Sequence, residues 1–145
     1  MPHRPAEEET RLRHLAELLP AFEEPGFEPC VWHRTEGQMP YPVYAPVVDR
    51  LVELFYDDGW LASDFDWMAW TETDEARRLA TDPEAMQRAT AEQLGRVLTV
   101  LVRRERFGDG MLGGAVASGL VAGALRRAAE LVAFTDGVTA VGGDR

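Results

Sequence analysis

The segment Thr90-Ala91-Glu92-Gln93 constrains this chain more than any other. Threonine followed three residues later by glutamine is a capping box, in which each side chain satisfies the other residue's backbone N–H at a helix start. Behind it, Leu94, Val97, Leu98, Leu101 and Val102 recur at the helical period. The pattern predicts a helix from Thr90 to about Phe107, with an apolar stripe that has to be buried against other elements. Gly108-Asp109-Gly110 ends it.

The same reasoning runs along the rest of the chain. Residues 7–19 read as a helix, with Leu12, Leu15, Leu18 and Leu19 at helical spacing. Glu7, Glu8 and Glu9 sit in its first turn, where the helix dipole favours negative charge. Pro20, Pro25, Gly26 and Pro29 end it and open an irregular stretch to about residue 43, pinned to the body by Trp32 and Tyr41. A loop of that length often carries function. A short strand or hairpin around Phe27–Arg34 is compatible with the composition. Tyr44–Tyr56 reads as a second helix, with Pro46 in its first turn. Trp60–Trp70 then packs three tryptophans into 11 residues. From Asp66 onward, helical spacing resumes through Trp67, Trp70 and Leu79. Asp82-Pro83-Glu84 opens a short helical turn, and a last helix is expected over Met111–Phe134. There is no internal repeat and no alternating strand pattern with hairpin turns. The expected fold is all-α: a single compact domain of about five helices over 7–134, with a long irregular loop near residues 20–43. A flexible arm at 1–6 and a disordered glycine-rich tail at 135–145 flank it.

A chain of 145 residues fits one domain and can bury enough surface to fold without a metal or disulfide. The lone Cys30 excludes an intrachain disulfide. The N-terminus lacks the apolar stretch of a signal peptide, and Met111–Leu125 is too short and too glycine-rich for a membrane span. The expected location is the cytoplasm, with no membrane partner. The formal net charge is −10, and all 15 basic residues are arginine. Residues 1–76 carry 17 acids against 5 arginines, whereas 77–145 carry 8 against 10. So acidic a chain is repelled by nucleic-acid phosphates, which makes nucleic acid a disfavoured partner. The one dense basic patch is Arg103-Arg104-Glu105-Arg106.

Most motifs dissolve on inspection. Gly108-x-Gly110-x-x-Gly113 has the spacing of a dinucleotide fingerprint, but the segment before it is helical, so the strand that fingerprint requires is missing. It reads as a glycine-rich turn between helices. Gly110, Gly114, Gly119 and Gly123 make small-xxx-small steps on the last helix, suited to close packing within the domain or to a homodimer face. Cys30-x-x-His33 offers two ligands where a zinc site needs three or four. Asp64-x-Asp66 is better read as a helix cap and an arginine partner than as a magnesium site. No metal and no cofactor is expected. Cys30 lies in a proline-rich loop, and neither serine, Ser63 nor Ser118, sits in a nucleophile elbow.

One cluster remains. Arg103 and Arg106 project from one helix face, and arginine forks suit carboxylate or phosphate recognition. If the Asp64–Trp70 segment packs near Arg103–Gly110, a ligand-binding site would combine Asp66, Trp67, Trp70, Arg103, Glu105, Arg106 and Phe107. The bland alternative is a structural ion pair beside core tryptophans.

These residues also carry a resemblance. Tyr41-Pro42-x-Tyr44, Phe65-Asp66-Trp67-x-x-Trp70, Leu98-Thr99-x-x-x-Arg103-x-Glu105-Arg106-Phe107-x-x-Gly110-x-Leu112 and Gly119 together resemble a family of small bacterial proteins known only as a domain of unknown function. The resemblance covers roughly residues 10–131. It implies one domain in which the Asp-Trp and Arg-Glu-Arg-Phe segments matter together, and it names no reaction. The expected function is a non-catalytic binding or protein-interaction module, using the acidic tryptophan-rich face or an arginine-lined pocket to take a protein partner or a small anionic ligand. The alternative is a small enzyme on a nucleotide or other phosphate-bearing compound. There Arg103 and Arg106 would hold the anion, and Asp66 or Glu105 would be the general base.

Overall fold

A computed structural model describes residues 6–60, 65–105, 108 and 110–143, with side chains described from residue 7 to residue 133. Residues 1–5 of the expected arm at 1–6, together with Asp64, Arg106 and Phe107, lie outside the described residues. The described chain is largely helical. In order it forms α1 (Ala6–Phe22), β1 (Cys30–His33), β2 (Tyr41–Tyr44), α2 (Pro46–Asp57), α3 (Trp67–Trp70), α4 (Asp74–Thr81), α5 (Pro83–Gln87), α6 (Ala91–Glu105), α7 (Met111–Ala117) and α8 (Leu120–Gly143).

The capping box forms as its spacing predicts. Gln93 N–H donates to Thr90 Oγ1 at 3.1 Å, and Thr90 N–H donates to Gln93 Oε1 at 2.9 Å. The helix it opens, α6, is the centre of the fold. From Val97 to Val102 every residue is buried, a pattern that requires neighbours all round. α6 contacts α3, α4, α7 and α8, while α1 packs along α8 and α2 packs on α1. α8 presents Val121, Ala124, Leu125, Ala128, Leu131 and Val132 on one stripe, and α1 meets the same core with Leu12, Leu15 and Phe22. Each fully buried leucine here contributes about 1.5–3 kcal/mol.

Four expectations need correction. The helices number eight among the described residues, against the expected five or so. The expected helix from Asp66 splits because Thr73 caps a second start, its hydroxyl accepting from Ala76 N–H at 3.2 Å. The expected last helix splits at Gly119, whose φ of +89° ends α7 in the left-handed region that glycine enters without strain. α8 then extends to Gly143, past the expected end at Phe134.

The fourth correction concerns the loop at 20–43, where the short strand that the composition allows around Phe27–Arg34 forms as β1 and the rest of the stretch is less irregular than expected. α1 continues through Pro20 to Phe22, closed by Glu23 N–H donating to the Leu19 and Pro20 carbonyls. Beyond it the chain forms an antiparallel hairpin in register Cys30–Tyr44, Val31–Val43, Trp32–Pro42 and His33–Tyr41. Tyr44 therefore ends a strand, and the helix starts after it at Pro46. Pro42 disguises β2 in the sequence. With no N–H, it fits at a position whose N–H would point away from β1. The Ala45 N–H to Pro29 carbonyl bond at 2.9 Å continues the same alternation one pair beyond the strand ends.

Candidate functional site

The residues singled out from the sequence do not gather into one pocket. Asp66 is exposed and caps α3, its carboxylate accepting from Ala69 N–H at 3.1 Å. Trp67 is half-buried on the same short helix. Trp70 donates its indole N–H to Glu75 at 2.7 Å and packs edge-on against Phe65. Glu75 also accepts from Gln93 at 2.9 Å and from Arg96 at 3.0 Å. The Gln93 and Trp70 bonds, with Arg96 beside them, hold its carboxyl below the usual glutamate value against the opposing effect of burial. The arginine that meets the tryptophan segment is thus Arg96, in the first half of α6. Arg103 makes no hydrogen bond or ion pair with a described residue and is half-buried. Arg106 and Phe107 lie outside the described residues.

Glu105 has a backbone task. Its two oxygens accept from Gly110 N–H at 3.1 Å and Leu112 N–H at 2.9 Å, which closes the turn from α6 to α7. The hairpin sits on that turn. An added Cβ on Gly110 would lie 2.4 Å from Trp32 Cζ2, and one on Gly113 would lie 2.9 Å from Cys30 Sγ and 3.4 Å from Tyr44 Cε1. Two of the three glycines of the false dinucleotide fingerprint, Gly110 and Gly113, are thus the seat of the hairpin. The buried Tyr44 hydroxyl faces Glu105 without a well-aligned hydrogen bond to any described group. Burial first, then the Glu105 carboxylate, pushes its pKa well above the ordinary tyrosine value, while the Gly113 backbone works the other way. Elsewhere on α7 and α8 packing does not demand glycine: a Cβ on Gly123 would meet Met86 at an ordinary 3.7 Å, and one on Gly114 would meet nothing within 4 Å.

The hairpin has two unlike faces. Cys30, Trp32, Pro42 and Tyr44 alternate toward the body, and Val31, His33, Tyr41 and Val43 alternate outward. His33 and Tyr41 stack across the strands at 5.5 Å. Of eight large hydrophobics exposed among the described residues, five lie on the hairpin or its turn: Val31 at 51%, Trp32 at 43%, Met39 at 85%, Tyr41 at 45% and Val43 at 44%. Met111, 47% exposed at the start of α7, directly follows Gly110, on which Trp32 sits.

A cavity of about 500 Å3 opens between α1, Trp60, Phe65 and α6. Arg11 lies over the Trp60 ring at 5.1 Å from its centroid, and Phe55 stacks parallel to that ring at 6.2 Å. Both Trp60 Nε1 and Arg11 Nε are buried without a hydrogen-bond partner among the described residues. Sequence reasoning passed over Arg11, Trp60 and Arg96. One signal was available: an isolated glycine inside a strong helix asks for a packing reason, and Gly95 has one, because a Cβ there would press on Trp60 Cε3 at 3.1 Å. A second cavity, of about 410 Å3, lies between α4, α5 and α8. Its arginines are engaged, Arg126 by Glu23 and Arg127 by Glu130 and the Ala89 carbonyl. No group of three or more His, Cys, Asp or Glu among the described residues could hold a metal ion, and no helix among them is long and apolar enough to cross a membrane.

The model of the family of unknown function DUF6508 matches residues 7–133. No curated protein and no solved structure matches the chain.

Proposed function

The chain belongs to the family DUF6508, whose name carries no activity, and from its own geometry we propose that it is a non-catalytic protein-interaction module that self-associates through the β1–β2 hairpin. The observation that carries this reading is the concentration of exposed apolar side chains on one small element. Soluble monomers scatter such residues, and a contiguous patch marks an interface.

The strand edges favour a particular arrangement. Pro40 and Pro42 blunt the outer edge of β2. The outer edge of β1 keeps the outward N–H and C=O groups of Cys30 and Trp32, which have no backbone partner among the described residues. Two copies can pair β1 against β1 about a two-fold axis, which satisfies those groups and closes the assembly. Charge favours the same choice of partner. Copies carrying −10 each repel across most of their surfaces. The two strands contain no acidic residue, so the hairpin is where like-charged chains can approach.

Sedimentation equilibrium over a wide concentration range tests this. Wild type is expected to dimerise, and Val31→Lys, which places a charge on the outward face, is expected to be monomeric with an unchanged helical spectrum. A wild type that stays monomeric throughout, or a dimer indifferent to Val31→Lys, would overturn the reading.

A further inference from the structure

We infer that the cavity between α1 and α6, remote in sequence from the hairpin, is a small-molecule site for an aromatic carboxylate. Trp60 is 91% buried, being 9% exposed, yet its indole N–H has no acceptor among the described residues. Arg11 Nε is buried and equally unpartnered. Folded proteins leave few buried donors unpaired. Here two of them belong to adjacent side chains, the Arg11 guanidinium lying over the indole face 5.1 Å from its centroid. Two unpaired N–H donors on stacked neighbours, one of them on a cation, suit the two oxygens of a carboxylate.

The rest of the cavity selects the size and charge of the ligand. Its volume, about 500 Å3, falls in the range of small-ligand sites. Phe65, Ala91 and Gly95 supply an apolar wall on which an aromatic ring can lie. Arg96 is already held by Glu75 and Glu92. Among the described residues Arg11 reaches only the Asp58 carbonyl, at 3.5 Å, so it is the cation with donors to spare. With Arg96 engaged, Arg11 alone balances one negative charge, which a carboxylate carries and a doubly charged phosphate exceeds. The substrate class of this site is therefore a monoanion on a flat apolar body, and no reaction is implied.

The test is a titration of nitrogen-15-labelled protein with benzoate, following the Trp60 indole N–H by NMR. Benzyl alcohol and inorganic phosphate serve as probes lacking the carboxylate or the ring. Benzoate should shift the Trp60 resonance saturably, with both other probes at least about tenfold weaker, a difference of about 1.4 kcal/mol. Arg11→Met should weaken benzoate by a similar factor, and Arg11→Lys, which keeps charge and stem but loses the fork, covers the case in which the methionine variant does not fold. Absence of a saturable shift, a preference for phosphate, or unchanged binding in a folded Arg11 variant would overturn the assignment.

Discussion

Replacing Gly110 by alanine probes the joint on which the hairpin rests. Gly110 has φ +92° and ψ −4°, a left-handed conformation that costs an L-residue about 1–2 kcal/mol. The new Cβ would also stand 2.4 Å from Trp32 Cζ2, far inside contact distance, so the indole has to leave its seat. Overpacking of that kind costs about 1–3 kcal/mol. The two effects sum to about 2–5 kcal/mol. At about 2–4 °C per kcal/mol for a chain of this size, the midpoint of thermal unfolding followed by circular dichroism should fall by roughly 4–20 °C. Gly114→Ala is the internal control, four residues on in α7. It has no atom within 4 Å of the added Cβ and no positive φ. It should gain about 0.5–1 kcal/mol, because alanine is the better helix former. Two glycines in one motif thus respond with opposite signs. If Gly110→Ala melts with wild type, or if Gly114→Ala is the more damaging of the pair, the seating of Trp32 on the α6–α7 turn is wrong.

The remaining predictions concern polar groups. Glu105→Ala strands the N–H groups of Gly110 and Leu112 and should cost about 2–4 kcal/mol in chemical denaturation, while Glu105→Gln, which keeps one acceptor, should cost less. Tyr44 is held neutral in the fold, so its folded pKa lies above the unfolded value of 10.0. Its contribution is then fully present below pH 10 and lost as pH rises above it. At pH 11 wild type should have lost stability that Tyr44→Phe retains, and parallel alkaline stability curves for the two proteins would refute this. Glu75 has the opposite sign. Its depressed pKa means the advantage over Glu75→Gln holds above the ordinary value of 4.5 and fades as pH falls below it, which acid titration of both proteins by circular dichroism checks. Trp70→Phe keeps an aromatic ring beside Phe65 but removes the bond to Glu75, and should cost about 1–2 kcal/mol at neutral pH and less once Glu75 is protonated.

Local physics wrote much of this fold into the sequence. The reciprocal Thr90–Gln93 bonds, the Asp82 cap with Pro83 behind it, and Pro46 opening α2 all join groups two to four residues apart, so spacing alone determines them. The stripes of α1, α6 and α8 follow from the helical period for the same reason. Short elements were less legible. The strands β1 and β2 have four residues each, and one of those in β2 is proline, too little for a period of two to stand out. Only the tertiary structure decided which distant groups meet. Arg96 rather than Arg103 serves Glu75, 21 positions away, because the first half of α6 is the part that faces α3 and α4. Glu105 caps a turn instead of pairing with an arginine, and Gly110 is empty because Trp32 occupies its space. A helical period says that a face is buried, but the identity of its neighbour depends on how several helices cross, and that is a property of the packed whole.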